Sequence, residues 1–296
     1  MTLLLKSVPA SRGPRWIADA LRLFARRPLA FTMMFAAFMF AALLSSLLPY
    51  VGGVLQMMAL PLLSLGFMVA SQSALLNGPV HPSQFIEPLQ PDPVRRRALL
   101  TLCVIYGVSA VAILLLCDTL SDNAMGRLMT LSAKGESAQP EIDAVLAEPG
   151  LAMVTLLLVT LGTLLSVPFW HAPALVHWGG QSVGQALFSS TLAVWRSKGA
   201  FFTYALAWTG LVFGFAVLAS LLFGLLGLRQ LASLAAVPAG LLFSTVFYVS
   251  LLFTFNDSFG AAGQDSATRN GGNSDSDSDS NGNSEGGSGP ALNPPA

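Results

Sequence analysis

The sequence predicts an all-α integral membrane protein: a six-transmembrane-helix bundle of three in-out-in hairpins, with interfacial amphipathic helices and a disordered C-terminal tail. Three observations predict it. Six stretches are apolar over the length that crosses a bilayer, about 20 residues. Only 10% of the residues are charged, against about 25% in a soluble domain, so the chain cannot coat a water-facing surface. Finally, its Lys and Arg are sorted to one side of the six stretches.

The spans are read as Leu29–Leu48, Gly52–Leu76, Ala98–Cys117, Leu151–Trp170, Ala200–Leu222 and Leu231–Phe255. Each is apolar around its whole circumference, as a lipid-facing helix must be. Links as short as Pro49-Tyr50-Val51 force antiparallel hairpins. The first span is too long, and its basic leader too extended, for a cleaved signal peptide, so it reads as a retained helix. Cys103 and Cys117 fall in one helix, roughly 21 Å apart, beyond disulfide reach.

Of the 15 Lys and Arg, 12 lie in the N-terminal segment, the link between spans two and three, the link between four and five, and the tail. The opposite side holds Arg127, Lys134 and Arg229. By the positive-inside rule both ends are cytoplasmic. The longest outer loop, 118–149, is acidic.

Three regions follow: 1–28, a cytoplasmic segment with an amphipathic helix; 29–257, the transmembrane domain; and 258–296, a disordered cytoplasmic tail. In Pro14–Arg27, Trp16, Ala20, Leu23 and Arg27 share a face, widened by Ile17, Leu21 and Phe24. Arg15, Asp19, Arg22 and Arg26 sit mostly opposite. Such a helix lies on the anionic inner leaflet, with Arg15, Arg22, Arg26 and Arg27 as lipid contacts. Ser182–Trp195 forms a second amphipathic segment along Val183, Leu187, Thr191 and Val194. Each segment precedes basic residues and a hairpin whose second helix carries a proline, Pro61 or Pro238, which hints at an internal duplication. The Ser-Asp alternation of 274–280 has no apolar residues to bury and lacks the glycine register of calcium-binding repeats.

Chemistry is sparse. Charge inside a bilayer is costly and its retention marks function, yet the six spans hold essentially none; their polar residues are Gln56, Gln72, Ser and Thr. This argues against a carboxylate-coupled carrier and an intramembrane aspartyl or metalloprotease. No zincin, phosphate-loop or nucleophile-elbow motif occurs, and three histidines and two cysteines form no metal-ligand cluster. No catalytic residue, metal, cofactor or nucleic-acid partner is expected.

The most distinctive stretch is Pro168-Phe169-Trp170-His171-Ala172-Pro173, followed by His177 and Trp178. The two prolines break or kink the end of the fourth span. The residues read either as an interfacial aromatic belt or as a re-entrant element whose imidazoles contact a ligand or headgroup. Trp170, His171, His177, Trp178 and Gln72 are the candidate ligand or interface contacts. Gly210-x-x-x-Gly214 in span five permits close helix approach and reads as an internal packing face.

Trp16 to Phe24 ahead of Arg26-Arg27-Pro28, the stretch Phe169–Leu175, and Ser182 to Phe202 with Trp195-Arg196 carry a resemblance. Over about Trp16–Asp257 the chain resembles a family of proteobacterial polytopic inner-membrane proteins of unknown function. The resemblance implies a bacterial cytoplasmic membrane and assigns no activity to any residue. Two functions remain open. One is a non-enzymatic membrane component: a scaffold, envelope-maintenance factor or accessory subunit with a membrane-protein partner. The other is a small permease or lipid-handling carrier, suggested by Pro61, Pro168 and Pro238 as helix breaks.

Overall fold

The computed structural model describes residues 3–49, 51–90, 92–121, 123–133, 139–227 and 229–261. A short strand, β1 (Leu3–Leu5), leads into α1 (Arg12–Arg26), α2 (Pro28–Ser46) and α3 (Val51–Leu75). Then come α4 (Pro93–Leu120), α5 (Ala124–Ala133), α6 (Gln139–Leu146) and α7 (Pro149–Phe169). The chain ends through α8 (Ala172–His177), α9 (Val183–Arg196), α10 (Lys198–Leu225), α11 (Arg229–Ser258) and a strand, β2 (Phe259–Ala261). Among the described residues six helices are long and apolar enough to cross a membrane, one for each span read from the sequence. Proline sets three of their starts: Pro28, Pro93 and Pro149 open α2, α4 and α7, where a missing N–H costs nothing.

The centre of the bundle is α3, which packs on α2, α4, α8 and α11. Gly107 lets α4 close on Met58, where a Cβ would collide. The link from α3 to α4 folds back along the bundle. Its two 3-10 turns, Pro82–Phe85 and Glu87–Leu89, bring Phe85 onto Gly66, nine residues and about 14 Å before the end of α3. The Phe85 ring lies 5.8 Å from Phe67 and 6.3 Å from Phe38. The link satisfies its own backbone: the Gln84 side chain accepts from His81 N–H and donates to the Pro79 carbonyl, both at 3.1 Å.

The apolar face of α1 is covered by protein. Trp16, Ala20 and Leu23 are buried against α10 and α11, with Ile17 and Phe24 beside them. Gly13 seats α1 on the α10 backbone at Ala200 and Tyr204, where any side chain would collide. Arg15, Arg22 and Arg26 face outward, whereas Arg27 turns inward and donates to the Asn77 and Gly78 carbonyls.

Both ends of the described chain meet. β1 and β2 pair antiparallel, Leu3 with Ala261 and Leu5 with Phe259. Residues 258–261, expected in the tail, therefore close the bundle, and the first crossing starts from the same end at which the sixth finishes. The rest of the expected tail, 262–296, lies outside the described residues. At the far end, α5 and α6 form a small helical pair, and the Arg127 guanidinium of α5 donates to both carboxylate oxygens of Glu148, the cap of α7, at 3.0 and 2.8 Å.

The order α1–α2–α3 recurs as α9–α10–α11, but the packing does not repeat. α1 lies on α10 and α11; α9 lies on α7 and α8 rather than on α2 and α3. Its buried stripe is Ala186, Ser190 and Ala193, so the expected position Thr191 is exposed. Small residues let α9 approach closely, while Phe188 and Trp195 point outward. Pro61 is buried and Pro238 exposed.

Candidate functional site

The break after α7 is built around His171. α7 ends at Phe169 and α8 opens with Pro173 in its first turn. Such a break strands backbone groups that lipid cannot satisfy. Ser190 of α9 repairs it from both sides, accepting from the His171 N–H at 3.0 Å and donating to the Val167 carbonyl at 3.0 Å.

The His171 ring is fully buried. Thr254 of α11 donates its hydroxyl to the Leu251 carbonyl at 2.8 Å. Its lone pairs then accept from Trp170 Nε1 and His171 Nε2, each at 3.2 Å. This assigns the ring proton to Nε2. Nδ1 has no partner, and Phe201, Phe255 and Phe259 ring centroids stand 5.5–6.0 Å from the imidazole. His171 therefore cannot touch a headgroup, as one sequence reading expected; the chain encloses it. It joins the α7–α8 break to α11 beside the β1–β2 pair.

The other expected contacts divide. Trp170 bridges this knot and a crevice described below. Trp178 packs on Phe255 at 5.2 Å. His177 is half-buried, 5.5 Å from the Trp178 ring, and its carbonyl accepts from Arg95 of α4 at 3.1 Å. Gln72 is exposed near the end of α3 and takes no part in this cluster. The Gly210–Gly214 face does not pack internally: both glycines are exposed and a Cβ at either would meet open space. The close approaches fall instead at Gly13, Gly52, Gly66 and Gly107.

A second polar knot was not anticipated. Asp257 Oδ2 accepts from Arg12 Nε and from Trp16 Nε1, both at 2.7 Å. The carboxylate holds the Arg12 guanidinium above its ordinary pKa by hydrogen bond and charge. The available signal was an acidic residue closing the last span, with Arg and Trp spaced one helical turn apart in α1.

Between α7, α10 and α11 runs a lateral crevice of about 640 Å³, reached by Val194 of α9. Trp170, Phe201, Tyr204, Trp208, Phe243, Phe247 and Tyr248 give it an aromatic wall. The Ser166 and Thr163 hydroxyls on the α7 side donate to their own helix backbone at 2.8 and 2.7 Å. Tyr204 donates to Ser250 at 2.6 Å, because Ser250 itself donates to the Phe247 carbonyl. The crevice thus offers mainly ring faces and methyl groups, with Trp208 Nε1–H a buried donor without a partner among the described residues. Among the described residues no group of His, Cys, Asp and Glu gathers that could hold a metal.

Comparison with known proteins agrees with this architecture. The chain is 31% identical over 257 residues to a probable inner membrane protein of Burkholderia thailandensis, covering 86% of the chain and 94% of that relative. The chain belongs to this family. It is accordingly a multi-pass inner-membrane protein. No family model matches it, and no solved structure matches it.

Proposed function

We propose that the protein is a non-enzymatic component of the inner membrane, a scaffold or accessory subunit that presents α10 to another membrane protein. One observation carries the proposal. None of the apolar window of α10 is buried by the chain itself, against 44% for α3. Ala200 and Tyr204, near its start, are its buried residues. Beyond them Gly210 and Gly214 offer bare backbone on a face away from the crevice-lining Trp208 and Val212. Bare backbone is what close helix–helix packing in lipid uses.

In this reading the end carrying β1 and β2 is cytoplasmic, supported by Arg15, Arg22, Arg26, Arg95, Arg96, Arg97, Arg196 and Lys198 on elements at that end. Exposed Arg15, Arg22 and Arg26 meet anionic lipid there, while Arg27 serves the α3 terminus. The reading is tested by extracting the protein with its native lipid in polymer discs and weighing what accompanies it. A protein partner at fixed ratio, lost in Gly210→Leu/Gly214→Leu, is expected. A protein recovered alone at wild-type level would overturn it. The apolar crevice favours lipid handling over a solute permease as the second reading.

A further inference from the structure

We infer that the crevice between α7, α10 and α11 is a binding site for one anionic phospholipid, with an acyl chain against the aromatic wall and the headgroup at Arg196 and Lys198. The inference is separate from the scaffold reading, since the crevice and the glycine face lie on different sides of α10.

Three observations point to this occupant. The first is chemistry. The lining is aromatic and aliphatic, its Tyr204, Ser166 and Thr163 hydroxyls are engaged by the protein, and its volume lies within the range of small-molecule sites, roughly 300–1,000 Å³. An apolar chain costs nothing to desolvate there; a polar solute would find few partners beyond the unpaired Trp208 Nε1–H.

The second is length. On α10 the wall runs from Phe201 through Ala205 and Trp208 to Val212, a rise of roughly 16 Å. That is about half of a 30 Å hydrocarbon core. The crevice therefore spans a single leaflet, the reach of one acyl chain.

The third is charge. Lys198 stands at the head of the same helical stripe, three residues before Phe201 and seven before Ala205. Arg196 closes α9 and Lys198 opens α10 on either side of the shared cap Ser197, so both charges sit at the corner from which the α10 wall starts. Both are exposed and neither has an ion-pair partner among the described residues. Lys198 Nζ rests 5.6 Å from the exposed Trp195 ring, which leaves the ammonium free to meet a phosphate. A cationic rim over a leaflet-deep apolar slot matches an anionic phospholipid, whose charge and chain leave the membrane surface in the same two directions.

The test is native mass spectrometry of the full chain released from nanodiscs containing equal phosphatidylglycerol and phosphatidylethanolamine. Wild type is expected to retain one phosphatidylglycerol. Arg196→Glu/Lys198→Glu should weaken retention by roughly tenfold or more, since each basic residue near the surface contributes about a factor of five. Ala205→Trp, which fills the slot, should abolish retention, and Val194→Phe serves if that variant fails to fold. Arg97→Glu, exposed on α4 and outside the crevice lining, should leave it unchanged. Equal retention of both lipids, no retained lipid, or retention untouched by filling the slot would each overturn the inference.

Discussion

Replacing Asp257 with Ala should release α1 from the bundle without unfolding the spans. Oδ2 receives two donors at 2.7 Å, Arg12 Nε and Trp16 Nε1. The Arg12 and Asp257 side chains are 30% and 27% exposed, so this charge-assisted bond sits at the low end of its range, about 1.5 kcal/mol. Trp16 is fully buried, and stranding its N–H adds about 1–3 kcal/mol. A combined loss of about 3 kcal/mol would raise local opening roughly a hundredfold. Hydrogen–deuterium exchange of residues 12–26 in lipid discs reads this directly. Exchange should accelerate in α1 and in the β1–β2 pair, while α3 and α4 stay protected. Asp257→Asn keeps an acceptor for Trp16 and should fall in between. Unchanged protection of α1 in Asp257→Ala would refute the idea that this carboxylate locks the helix, and would leave its apolar face as the sole tie.

Other outcomes follow from the same contacts. Ser190→Ala removes the partner of both the His171 N–H and the Val167 carbonyl, and should lower stability by about 1–3 kcal/mol in a denaturant titration. Gly13→Leu drives a side chain into the α10 backbone and should cost about 1–3 kcal/mol or more, seen as a lower melting temperature. Gly210→Leu meets open space, so stability should not fall and should rise by up to about 1 kcal/mol, read as a higher melting temperature, from the better helix propensity of Leu. Phe85→Ala should increase labelling of a cysteine placed at Leu62, one turn before Gly66 in the groove that Phe85 lines.

The spans were legible because hydropathy over about 20 residues measures transfer into lipid directly. What each span touches was not. α3 and α10 have similar mean hydropathy, 1.8 and 2.1, yet lie at opposite extremes of burial. Lipid tails and neighbouring helices are equally apolar, so composition cannot tell a central helix from a peripheral one. The same ambiguity misassigned Gly210 and Gly214, since small residues suit an internal contact and an external one alike. α1 was recognised as amphipathic, but an apolar stripe does not say whether protein or membrane covers it; Gly13 and Asp257 decide for protein. The break at Pro168 and Pro173 was readable from backbone chemistry. The burial of His171 was not, because it depends on Thr254 and Ser190, 83 and 19 residues away. The fold-back of the α3–α4 link lay hidden for a related reason: Gly66 inside one span and Phe85 in a link acquire meaning only as a pair.

The most direct test of the scaffold account is a photo-crosslinking amino acid at Phe213, which is 68% exposed on the far part of α10. Illumination of intact cells expressing the full chain should give one discrete protein adduct that disappears in Gly210→Leu/Gly214→Leu. Adducts with lipid alone, at normal protein level, would contradict the account.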